Sequence, residues 1–101
     1  MKMKLTRSSG NVFKDLGFPA EEAEHLKIRS NMMAHLRELI ASRGLKQADA
    51  AALFGVTQPR VSDLVRGKID LFSIDTLIDM LSHAGVKVKF TLSEASRSRA
   101  A

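Results

Sequence analysis

Apolar residues fall into blocks along the chain, and their spacing predicts the elements. The clearest block is Ile74, Leu77, Ile78 and Leu81, an i, i+3, i+4, i+7 stripe. Ser73 precedes it as a good N-cap and Asp75 stands in the first turn. Phe72 and Leu77 occupy the N′ and N4 positions of a hydrophobic staple, and Gly85 ends the helix. A longer helical region opens at Pro19, with Glu21, Glu22 and Glu24 early, where acidic groups favour the positive helix end. Its apolar positions recur at Leu26, Met32, Met33, Leu36, Leu39 and Ile40. Arg37 and Arg43 come late and Gly44 supplies the stop; a break near Ser30–Asn31 would divide the region into two helices. Between these blocks lie two short helical segments, Gln47–Phe54 and Gln58–Val65. Gly55 separates them, Thr57 caps the second and Gly67 terminates it. Pro59 falls in the first turn, where a missing N–H costs nothing.

The pattern changes at Val86–Leu92. Val86, Val88, Phe90 and Leu92 alternate with Lys87, Lys89 and Thr91, which predicts a half-buried strand. Such a strand must pair. The internal candidate is Met1–Leu5, whose alternation is weak, so the same strand of a second copy is the expected partner. Asn11–Phe18 holds Val12, Phe13, Leu16 and Phe18 within eight residues, an arm that packs on the globule or on a partner. The expected division is an arm over 1–18, a helical domain over 19–92 and a disordered polar end over 93–101.

The two short helices meet several requirements of a helix-turn-helix at once. Ala51 is small where the helices would cross, and Gly55 falls where the turn needs positive φ. Ala50, Phe54, Val56, Val61, Leu64 and Val65 make the inward face. Pro59, Ser62, Asp63 and Arg66 are then left pointing outward, with Gln58 and Arg60 flanking them. Taken alone, such a face is most often merely solvated. In this motif it is the one that enters the major groove. Gln58 suits adenine, Arg60 guanine or phosphate, and Pro59 a thymine methyl; Ser62 suits either partner. Asp63 suits cytosine N4, or pairs with Arg60 or Arg66. Arg43, Lys46, Gln47, Thr57, Arg66 and Lys68 are placed as phosphate contacts.

Composition supports this and excludes other chemistry. At 101 residues there is room for one small domain. A net charge of +5 favours a polyanionic partner. The five aromatics are all Phe, a poor platform for stacking single-stranded bases, and no RNA-binding module pattern occurs. There is no Cys, and His25, His35 and His83 are scattered, so no metal site or cofactor is expected. No phosphate loop, nucleophile elbow or triad spacing points to an enzyme. Without an apolar run or a signal-peptide h-region, the expected location is cytoplasmic, with no membrane partner.

The stretch Gly44–Ala48 through Val56–Ser62 to Arg66-Gly67-Lys68 resembles the Xre, or lambda-repressor-like, helix-turn-helix family. Ser8–Phe13 with Asp15–Phe18 is similar to the HigA-type antitoxin-like subgroup, whose members often end in a strand such as Val86–Leu92. The resemblance covers roughly residues 8–92. It implies a mainly helical bundle of four or five helices with a C-terminal strand. It further implies a homodimeric autorepressor on an inverted-repeat DNA operator, often bound to a ribonuclease toxin encoded beside it. Residues Val86, Val88, Phe90 and Leu92 would join the two copies. Pro59 and Asp63 depart from the amides that relatives often carry at groove-facing positions, so an operator sequence does not transfer. The competing class is a protein-interaction module served by the Asn11–Phe18 arm, with toxin neutralisation as its main task. A repressor without a toxin shares the same pattern.

Overall fold

The computed structural model describes the backbone of strand β1 (Lys2–Leu5) and residues 12–94. Five α-helices lie among the described residues: α1 (Val12–Asp15), α2 (Ala20–Arg43), α3 (Gln47–Phe54), α4 (Gln58–Val65) and α5 (Ile74–His83). A 3₁₀ turn (Ile69–Leu71) joins α4 to α5, and β2 (Lys87–Phe90) follows α5. The mainly helical bundle with a C-terminal strand is therefore observed.

The long helix α2 is the frame. It runs 24 residues, continuous through Ser30–Asn31, so the region is one helix and not two. The reason is packing: Met32 and Met33, directly after that pair, are buried, so tertiary contacts hold the helix where intrinsic propensity is weak. Ala23, Leu26, Met32, Met33, Leu36 and Leu39 form its buried stripe. Gly44 ends it at φ 60°, its N–H donating to the Ile40 and Ala41 carbonyls.

The remaining helices close over that stripe. Ala50, Ala51 and Phe54 of α3, Val61 and Leu64 of α4, and Leu77, Met80 and Leu81 of α5 join it, with Phe72 and Val86, in one core. Ser73 caps α5 as expected, its Oγ accepting the Thr76 N–H at 3.1 Å. Phe72 and Leu77, the staple pair, are 1% and 0% exposed. No polar or charged side chain is buried among the described residues.

The sheet corrects one expectation. The chain's own first residues pair with β2, in parallel, with Met3 opposite Val88 and Leu5 opposite Phe90. A parallel ladder needs a long crossover between its strands. Here the whole helical body supplies it, which is why local alternation ranked β1 as the weaker partner. The strand is also shorter than expected. Val86 lies before it, 2% exposed, with its N–H bonded back to the Leu81 carbonyl, so it belongs to the chain's own core. Burial then fades along the inner face: Val88 is half-buried, Phe90 is 48% exposed, and Leu92, beyond the strand, is 91% exposed.

The arm packs on the globule through one side only. Phe13 turns inward, edge-on to Phe18 at 6.2 Å. It lines a recess of about 230 Å³ with Ser30, Met33 and Arg37 of α2 and Gly67 and Ile69 beyond α4. Val12 and Leu16 remain 59% and 70% exposed. Residues 6–11, which include Asn11 at the start of the arm, and residues 95–101 of the end expected to be disordered over 93–101 lie outside the described residues.

Candidate nucleic-acid interface

The site is built on two eight-residue helices joined by a tight turn. Alanines let α3 approach its neighbours, and Ala50 and Ala51 are 0% and 7% exposed. Gly55 takes φ 70°, and the Val56 N–H returns to the Ala51 carbonyl at 3.0 Å, closing α3. Thr57 starts α4 from an extended conformation, and its hydroxyl accepts the Arg60 N–H at 3.4 Å. Pro59 follows in the first turn, as expected.

Val61 and Leu64 anchor α4, each 0% exposed. Val65 does not, and the inward assignment is corrected: it is 47% exposed. At about 100° per residue, Val65 lies roughly 70° from the direction shared by Val61 and Leu64. An eight-residue helix with two anchors buries little beyond them. Gln58, Pro59 and Arg66 are exposed, and Ser62 and Asp63 are half-buried on the same side. Thr57, Lys68 and, near the start of α3, Arg43, Lys46 and Gln47 are also exposed. The exposed α4 face is thus flanked by cations and by the first turn of α3, whose N–H groups suit an anion.

Two charged residues have partners that sequence did not reveal. Asp63 pairs with Lys68 at 3.8 Å, not with Arg60 or Arg66. A five-residue separation spans the helix end, where Gly67 folds the chain back and the Lys68 N–H bonds the Asp63 carbonyl at 3.0 Å. Arg60 donates from Nη1 to the Leu71 carbonyl at 3.0 Å, its guanidinium 5.0 Å from the centre of the Phe72 ring. It is half-buried.

Sequence reasoning missed three further residues. Arg37 donates to the Leu64 carbonyl at 3.4 Å, and Arg29 to the Ile69 and Phe72 carbonyls at 3.2 and 3.5 Å. The available signal was the spacing of Arg29, Met33 and Arg37, an i, i+4, i+8 row centred on a core position. His83 was the third. Its imidazole lies so close to Gly55 that a Cβ there would stand 2.8 Å from Cε1. Nothing local to either residue signals that contact.

Among the described residues, no cluster of three or more His, Cys, Asp or Glu side chains could hold a metal ion. No helix among them is long and apolar enough to cross a membrane.

The helix-turn-helix domain family matches residues 12–93. A solved structure described as an XRE family transcriptional regulator is similar over 79% of this chain and 90% of its own. The identity is 34% and the TM-score 0.69. No curated protein matches the chain in sequence. The family match spans both helices of the motif and every element from α1 to β2, so the chain belongs to the XRE family of helix-turn-helix DNA-binding transcriptional regulators.

Proposed function

We propose that the protein is a sequence-specific repressor that binds an inverted-repeat operator as a homodimer. Two copies of α4 enter successive major grooves and block polymerase by occupancy. The observation that carries this is the split of α4 into a buried spine, Val61 and Leu64, and an exposed polar face. On that face Gln58, Pro59, Ser62 and Asp63 read base edges. Arg43, Lys46, Gln47, Thr57, Arg66 and Lys68 hold the phosphates on either side.

The dimer rests on β2. Its ladder is filled on one side by β1, and no strand among the described residues pairs with the other side. Phe90 and Leu92 are exposed beside that edge and Val88 is half-buried, while Val86 anchors the strand from behind. A second copy joining edge to edge about a two-fold axis would cover them and set two α4 helices about 34 Å apart. Sedimentation equilibrium tests it; a monomer at high micromolar concentration would refute it.

The repressor reading is tested by fluorescence anisotropy, comparing a duplex selected by the protein from a random pool with a scrambled one. Gln58→Ala should weaken the selected duplex by about 1–3 kcal/mol and relax one base position. Equal wild-type affinity for both duplexes would refute specific reading.

A second reading, the antitoxin of a toxin–antitoxin operon, is favoured by the arm. Val12 is exposed on the one-turn helix α1 and Leu16 and Phe18 just beyond it, an apolar surface suited to a protein partner such as a ribonuclease toxin. Replacing the exposed Val12, Leu16 and Phe18 by Ser keeps β1 and Phe13 in place, and should abolish toxin binding yet leave DNA binding largely intact. Toxin binding unchanged in that variant, or loss of its fold, would end this reading.

A further inference from the structure

Arg60 stands on the helix that reads DNA, yet its head group is turned toward the protein. With Val61 and Leu64 defining the inward direction, Arg60 lies about 70° from it at 100° per residue. Pro59, Ser62, Asp63 and Arg66 lie about 130° or more away. Arg60 and Val65 are therefore the two flanks of the same helix. The Val65 flank is left open, whereas the Arg60 flank is covered by the α4–α5 connection. There the guanidinium meets the Leu71 carbonyl at 3.0 Å and the face of Phe72, itself a core ring 1% exposed. A charge-assisted hydrogen bond and a cation–π contact act together on one planar group.

The neighbouring arginines show what this contact serves. The stretch leading out of α4 has carbonyls that accept from guanidinium groups at Leu64, Ile69, Leu71 and Phe72. Arg37 and Arg29 bring two of those groups from α2; Arg60 brings the third from α4 itself. Its bond therefore ties the recognition helix directly to the segment that α2 already holds. Reaching a base edge would require Arg60 to leave both the carbonyl and the ring.

We propose that Arg60 is a positioning residue, which locks the roll of α4 against the α4–α5 connection and leaves base reading to Gln58, Pro59, Ser62 and Asp63. The proposal rests on the repressor reading above. Without this lock, α4 keeps its buried spine but shifts about it, so every base contact weakens together.

The test uses the full chain and the duplex it selects from a random pool. Binding is measured for that duplex, a scrambled duplex and all single-base-pair variants, at several salt concentrations. For Arg60→Ala the selected duplex should weaken about tenfold. The penalties at all base positions should shrink together, and the salt slope should stay within half a unit of wild type. Phe72→Leu keeps apolar volume and removes the ring face, and should reproduce part of the loss. The double variant should lose less than the sum of the two. Arg60→Lys retains the charge but not the planar fork, so it should not restore discrimination. It also carries the comparison if the alanine variant does not fold.

Loss of discrimination at a single base pair would make Arg60 a base reader and overturn the proposal. A salt slope lower by about one, restored by Lys, would make it a phosphate contact and do the same. A wild-type chain that enriches no sequence overturns both this inference and the repressor reading. Enrichment followed by either of the other outcomes overturns this one alone.

Discussion

Replacing Gly55 by Ala separates two demands that the turn between α3 and α4 makes on one residue. The first is conformational: φ is 70°, and the left-handed region costs an L-residue about 1–2 kcal/mol. The second is spatial, since a Cβ would stand 2.8 Å from His83 Cε1 and 2.9 Å from both ring nitrogens. His83 is an exposed side chain at the end of α5, so it can rotate away. The added cost should then be about 1 kcal/mol, the size of an off-rotamer displacement. Gly44 is an internal control, with φ 60° and nothing within 4 Å of a Cβ. Gly44→Ala should therefore cost about 1–2 kcal/mol and Gly55→Ala about 2–3 kcal/mol. For a domain of this size the Gly55 change should lower Tm by roughly 8–24 °C. Adding His83→Ala to Gly55→Ala should recover only the second part. Thermal and urea unfolding followed by circular dichroism measure all four chains. If the two glycine variants agree within about 0.3 kcal/mol, or His83→Ala recovers nothing, the imidazole contact has no energetic role.

Leu64→Ala should destabilise the fold by about 2–5 kcal/mol in urea unfolding, because Leu64 is fully buried where α4 meets the core. Ser73→Ala should cost about 1 kcal/mol, and more than Thr57→Ala, since the Ser73 cap bond is 3.1 Å against 3.4 Å. Lys68→Ala should change stability by less than about 0.5 kcal/mol, its ion pair with Asp63 being solvent-screened. The same change should lower the salt slope of duplex binding by about one unit.

What could be read from the sequence was the part specified by near neighbours. Thr57 and Ser73 are caps because the N–H each hydroxyl accepts lies three residues on. Gly55 is a turn because its own φ is positive. The face of α4 follows from 3.6-residue periodicity once Val61 and Leu64 are recognised as its spine. Val65 marks the limit of that reasoning. Periodicity puts it near the spine, but burial depends on what covers the flank, and the covering segment is fixed by the rest of the fold.

Apart from the Asp63–Lys68 pair at the end of α4, the features that escaped join residues distant in sequence. Arginine carries the clearest case. On an exposed helix face a guanidinium reads as a solvated charge or a DNA contact, because its five donors suit carboxylate, phosphate and base alike. They also suit main-chain carbonyls, such as those at the end of α4 and along the α4–α5 connection. Arg29, Arg37 and Arg60 donate to them across separations of 40, 43, 27 and 11 residues. The parallel pairing of β1 with β2 is the same problem at the scale of the chain. Alternation identifies the strand, but its partner is chosen by where the helical body returns the backbone. A regulator of this kind therefore shows its reading face locally, while the orientation of that face is set by long-range contacts that periodicity does not encode.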